Sequence, residues 1–406
     1  MTPKNIVIVG AGQAAAQAVE TLRKRGCEAA LTVVGDEPVH PYQRPPLSKK
    51  LLAGSLTHDR LLIRHAHFYD EHAVELRLGR RALAIDRQRR EVRLDDGATL
   101  PYDALLLATG SRARRVAVPG AQLAGVYTLR TIADVDAIRA EAQPGRRAVI
   151  VGGGYIGLEV AATLRGLGVE ITVIELADRV MNRVVCEPVS RFYEAEHARH
   201  GVRIALRTGL ESFAGDGRLS AVRCTDGSEH AADFAIVGVG VQPADELARA
   251  AGLACDNGII VDEYCRTSDP SIHAAGDCTN HPSARYGCRV RLESVDNAFE
   301  QATSAALNML GIDTVHDKTP WFWSDQYDLK LIIVGLSQGH DQVVLRGDPA
   351  TRSFAACYLR AGELIAIDTI NSPKDQMAAR KLIAARAHPD PARLADSGVP
   401  LKDCVA

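Results

Sequence analysis

The sequence predicts an α/β protein built on a repeated strand–glycine turn–helix–strand unit, with a small α+β domain after it. Three observations predict this: a glycine-rich turn behind an apolar strand near residue 10, the same grammar near residue 152, and short strands in succession after residue 320. At 406 residues the chain exceeds one ordinary core, so two or three domains are expected. It is 46% hydrophobic and 24% charged with a net charge of −2, which argues against general nucleic-acid binding. No apolar run is long enough for a membrane span. Met1–Ile6 enters a strand almost at once, leaving no room for a signal peptide, and a cytoplasmic location is expected. Nine cysteines are scattered without a C-x-x-C or C-x4-C pair, so disulfides and metal sites are poorly supported.

In the first unit, Ile6–Val9 is a β-branched apolar run suited to a buried parallel strand. It feeds Gly10-Ala-Gly12-Gln-Ala14-Ala15, then a helical stretch expected from Ala16 to Arg25. Gly10 permits the tight turn, Gly12 lets backbone approach a pyrophosphate, and Ala15 allows close helix–strand packing. The helix N-terminus offers N–H groups and a positive dipole end to phosphate. A second strand, Ala30–Val34, leads to Asp36, about 20 residues past the last small residue, where an acid holds a ribose hydroxyl. This is a Rossmann-like dinucleotide site.

The unit returns about 140 residues later, as internal repeats do. Ala148–Val151 feeds Gly152-Gly-Gly154-Tyr155-Ile156-Gly157-Leu-Glu159, and the strand Glu170–Ile174 ends in Glu175. A carboxylate there accepts ribose hydroxyls and repels a 2′-phosphate, while Leu176 and Ala177 follow instead of arginines. Arg179 stands about one turn too far to reverse that preference, so NADH is expected over NADPH. Two Rossmann-like dinucleotide-binding domains suggest FAD in one and NADH in the other, with hydride passing between the cofactors.

Two further strands end at Leu105-Leu-Leu-Ala-Thr109-Gly110 and Ile272-His-Ala-Ala-Gly276-Asp277. With the first turn they resemble the glutathione-reductase type of flavoprotein, in which the residue matching Asp277 holds the FAD ribityl chain. Arg44-Pro-Pro-Leu-Ser-Lys49 and Pro320-Trp-Phe-Trp-Ser-Asp-Gln-Tyr-Asp328 narrow the resemblance. Through essentially the whole chain it is similar to the FAD-dependent NADH:ferredoxin reductases that serve bacterial oxygenases and cytochromes P450. That resemblance implies Lys49 at the reactive edge of the flavin, Glu159 as its charge partner, and an aromatic, Trp323, beside the ring. It also implies that Ala14, Asp36, Ala82, Arg130 and Val295 line the FAD site, with Arg44, Thr109, Gly110 and Gly240 among the cofactor-binding positions.

Pro38–Lys49 contains no cysteine, whereas disulfide reductases of this fold need two and the peroxidase and coenzyme A disulfide branches need one. Electrons are then expected to leave the flavin directly for a docked [2Fe-2S] ferredoxin supplying a cytochrome P450 or Rieske oxygenase. Rubredoxin, a quinone or oxygen is the alternative acceptor, and a flavin-bearing interaction protein resembling apoptosis-inducing factor is the alternative class. An acidic ferredoxin calls for a basic surface, for which Arg289 and Arg291 stand first. A monomer is expected. The domain boundaries read as 1–112 with 244–319 for FAD, 113–243 for NADH, and 320–406 for the C-terminal α+β domain.

Overall fold

The computed structural model describes residues 3–405. Its principal elements, in chain order, are β1 (Asn5–Val9), α1 (Gln13–Lys24), β2 (Ala30–Gly35), β3 (Val74–Leu78) and β4 (Ala104–Leu107). There follow β5 (Val126–Thr128), β6 (Arg147–Val151), α2 (Tyr155–Gly166), β7 (Glu170–Glu175), α3 (Glu187–Arg199), β8 (Arg203–Leu206) and β9 (Phe234–Val237). The remainder comprises β10 (Ile272–Ala274), α4 (Val295–Met309), β11 (Trp321–Gln326), β12 (Leu329–Gly335), β13 (Gln342–Arg346), β14 (Phe354–Arg360), β15 (Glu363–Ile370) and α5 (Pro373–Ala384).

The chain divides into two compact units. The first comprises the chain up to Gln43, Asp59–Arg112 and Val241–Lys318; the second comprises Arg44–His58, Ala113–Gly240 and everything from Thr319 on.

In the first unit five parallel strands run in the order β10-β4-β1-β2-β3. Strands buried on both faces read as unbroken apolar runs, and Ile6, Ile8, Leu105, Leu106 and Leu107 are fully buried. Helices α1 and α4 cover one face through Val19, Leu22, Ala302 and Ala305. Helix α1 begins at Gln13, three residues before the sequence suggested, because extended Gly12 is already its N-cap.

The second unit repeats the layout, with parallel strands in the order β8-β7-β6-β9-β5. Its other layer is an antiparallel sheet, β11-β12-β15-β14-β13, with α5 beside it. Four of those strands, β12 to β15, carry the short apolar pattern that the sequence shows after residue 320. The sequence did not suggest β11, whose Trp-Phe-Trp-Ser-Asp-Gln run pairs residue for residue with β12, from Trp321 opposite Val334 to Gln326 opposite Leu329. Ser372 precedes α5, its hydroxyl donating to the Asp375 side chain at 2.7 Å and not to a backbone group. A core of Leu158, Val189, Tyr193, Leu331 and Tyr358 joins α2 and α3 to this sheet.

Candidate functional site

In a parallel α/β sheet the carboxyl ends of adjacent strands share one edge, and ligands bind there. In the first unit that edge gathers Gly10 after β1, Asp36 after β2, Thr109 and Gly110 after β4, and Asp277 after β10. Gly10 has φ +112° and a Cβ there would lie 2.0 Å from the Ala108 carbonyl oxygen, so only glycine fits. Gly12 is the opposite case: no atom lies within 4 Å of where its Cβ would stand. That open space beside an α1 N-terminus that no side chain caps is room for a pyrophosphate. Ala15 is fully buried against the sheet, and Ala14 lies across from Gly276. Thr109 donates its hydroxyl proton to the Ala244 carbonyl at 2.6 Å, and Ser111 donates to Asp277 at 2.7 Å. Ala82 begins an irregular hairpin strand, and Val295 is the first residue of α4 behind the Ser294 cap. These residues fit an FAD dinucleotide by space, donors and acids.

In the second unit the same edge carries Gly152, Gly154 and Glu175. Gly154, like Gly12, would point a Cβ into open space, whereas a Cβ on Gly157 would lie 2.1 Å from the Gly152 carbonyl oxygen. The Glu175 carboxylate accepts from the Gly153 N–H at 2.6 Å and from the Ala177 N–H at 2.8 Å, which fixes it at the strand end. Arg179, the cation nearest after the acid in sequence, is held by the Val185 carbonyl, Ser190 and the Asn182 carbonyl at 2.7–2.8 Å. Ile156 and Leu176 stay exposed beside the motif, and Gly240 takes φ +98° after β9. This edge fits NADH.

Lys49 and Glu159, 110 residues apart in sequence, meet in this unit: the ammonium donates to Glu159 Oε2 at 2.7 Å. Glu159 sits in the second turn of α2, not the first, and its side chain is 5% exposed. The helix dipole therefore does not account for it, and three donors do: Lys49, Ser48 at 2.5 Å and Ser324 at 2.7 Å. Arg44 donates to the Arg130 carbonyl at 2.6 Å, and Thr163 donates to the Ser48 carbonyl at 2.8 Å, tying the Arg44–Lys49 segment down.

Strand alternation sets the aromatics apart. Phe322 shares a face with Ser324 and packs on Tyr155 at 4.7 Å, while Trp323 is on the other face, stacked on Trp321 at 5.5 Å. Ser48 and Ser324 were legible as candidates, since both stand inside the two specific motifs; Ser111 had no local signal.

A nucleotide edge in each unit, with its own acid, defines an oxidoreductase that uses FAD together with NAD(H). The chain belongs to the pyridine nucleotide-disulphide oxidoreductases, whose family pattern matches residues 4–302, and a reductase C-terminal pattern matches residues 321–405. It is 44% identical over 403 residues to the 5,5′-dehydrodivanillate O-demethylase ferredoxin reductase subunit of a Sphingobium species, covering 98% of each chain. It is 42% identical over 408 residues to putidaredoxin reductase of Pseudomonas putida, covering 99% of this chain and 97% of that one. The crystal structure of the covalent putidaredoxin reductase–putidaredoxin complex superposes with a TM-score of 0.96 at 41% identity, covering 99% of this chain and 98% of that one.

Proposed function

We propose that the protein takes hydride from NADH through FAD and passes single electrons to a [2Fe-2S] ferredoxin that supplies a cytochrome P450 or Rieske oxygenase. The observation that carries this reading is the second nucleotide edge with its backbone-fixed Glu175, in a chain similar over its full length to ferredoxin reductases. Bound FAD supplies the change from two-electron to one-electron transfer. The chain's part is to orient both dinucleotides and hold charge near the flavin. Glu175 accepts the ribose hydroxyls of NADH, and its charge repels a 2′-phosphate. Lys49, paired with Glu159 at 2.7 Å, would stabilise negative charge on a bound flavin, and Trp323 would lie beside its ring. Burial raises Cys265 and pushes Cys357 up to about 12, which disfavours a thiolate at either.

For the ferredoxin we favour the exposed face of α5, where Lys374, Met377 and Lys381 follow one another at helical spacing. Met377 is 72% exposed, and Arg380 lies 4.2 Å from the ring centre of Trp321. A basic rim around an apolar centre suits a small acidic partner. Arg289 and Arg291 are less available: Arg289 donates to Asn280 and the Val261 carbonyl, and Arg291 is paired with Glu293 at 2.5 Å. We take the working form to be a monomer. The test is NADH-driven cytochrome c reduction by the yellow holoprotein, with and without a two-iron ferredoxin. Strong stimulation by ferredoxin with NADPH far weaker is expected; fast flavin reduction without stimulation would assign another acceptor.

A further inference from the structure

Glu159 is the inner end of a hydrogen-bonded chain that continues past Ser324 to the surface of the second unit. Each member's role follows from the one before it. A carboxylate only accepts, so Ser324 spends its single proton on Glu159 Oε1 at 2.7 Å. The Ser324 oxygen must then accept, so Gln326 turns its amide nitrogen toward it at 3.2 Å. The Gln326 oxygen is left to accept from His197 Nε2 at 2.9 Å. That places the imidazole proton on Nε2, leaving Nδ1 to accept from the Tyr327 hydroxyl at 3.0 Å. Ser324, Gln326 and His197 are fully buried, and the Tyr327 ring stacks on His200 at 3.7 Å. Every proton points inward toward one carboxylate. The amide of Gln326 cannot hand a proton on, so the chain orients and polarises but does not conduct.

We propose that Gln326 and His197 are positioning residues for the hydride step, acting through Glu159 on Lys49. Ser324 and Gln326 are alternate residues of β11, so one face of one strand presents both to α2 and α3. Without Gln326 the Ser324 oxygen loses the donor that fixes and polarises it, its bond to Glu159 Oε1 weakens, and the carboxylate holds the Lys49 ammonium less firmly. This rests on the reading that Lys49 acts on the bound flavin.

The experiment is rapid mixing of the FAD-loaded protein with NADH for Gln326→Leu, Lys49→Met and the double variant, with Tyr327→Phe as a milder break at the outer end. Lys49→Met is expected to slow flavin reduction by roughly 100-fold. Gln326→Leu is expected to slow its limiting rate by roughly 10-fold with the NADH dissociation constant unchanged. The double variant should be no slower than Lys49→Met alone, because a residue that acts through Lys49 is silent once Lys49 is gone. Additive losses, or a wild-type limiting rate in both Gln326→Leu and Tyr327→Phe beside a slow Lys49→Met, would overturn the proposal and leave the role of Lys49 standing. A wild-type rate in Lys49→Met itself would remove that role instead.

Discussion

The carboxylate of Glu159 is almost dry, and its two oxygens are met by an ammonium and two hydroxyls. Removing its charge is costly in a definable way. In Glu159→Gln, if the amide oxygen keeps the Ser324 proton, the amide nitrogen faces Lys49 and Ser48, which then have no acceptor there. Loss of a buried charged acceptor is expected to lower stability by about 1–3 kcal/mol and to slow flavin reduction as Lys49→Met does. Urea unfolding and rapid mixing on the same preparation would check both. An unchanged unfolding midpoint would mean that Glu159 bears no structural load. Glu159 also shows where local reading stops: five residues past the glycine turn it reads as an acid welcomed by a helix end, and the serine that engages its second oxygen lies 165 positions away.

At the scale of the element, the N-terminal turn of α2 separates binding from folding. Gly154 faces open space, so Gly154→Ala should fold with an unchanged melting temperature. Its methyl group would occupy the path of the pyrophosphate, and NADH affinity is expected to fall about 10-fold or more by equilibrium titration. Gly157→Ala should do the reverse first, since its methyl would press on the Gly152 carbonyl at 2.1 Å and push α2 off its strand. A cost of about 1–3 kcal/mol is expected from calorimetry. If both variants melt alike, the distinction between the two glycines is wrong. These turns were legible because glycine, strand and acid lie within one short stretch of sequence. Strand β11 was not: its aromatic run carries a motif so specific that its role hid its conformation, and only the pairing partner β12 makes it a strand.

Across the whole molecule, buried titratable groups pull the pH dependence of stability in two directions. Asp368 is wholly buried, accepts from Tyr358, and is pushed by burial up to about 8. The folded state thus keeps a proton that an unfolded aspartate, with its value of 3.8, gives up. Its stabilising contribution is full below that value and is lost as pH rises toward 8. Burial lowers His197, His273 and His316 to about 4 and His281 to about 3. Their sign is opposite: the stability they allow is full above 6.5, the ordinary histidine value, and is lost as pH falls toward 4. Between pH 6.5 and 8 Asp368 alone of these five acts, and stability should fall by about 2 kcal/mol. In Asp368→Asn that fall should vanish; a persisting slope would assign it to other groups.

The order of strands in the first unit bears on how the chain is made. Strand β4 is complete at Leu107, but its outer neighbour β10 does not begin until Ile272, roughly 160 residues later. At ribosomal speeds of about 5–20 residues per second, the apolar edge of β4 waits on the order of ten seconds or more for its partner. Over that interval the nascent chain offers an unpaired hydrophobic strand edge, which other chains can pair with. Slower translation between residues 108 and 271, or loss of chaperone capacity, should therefore cut the soluble yield of this enzyme more than the same change after residue 320.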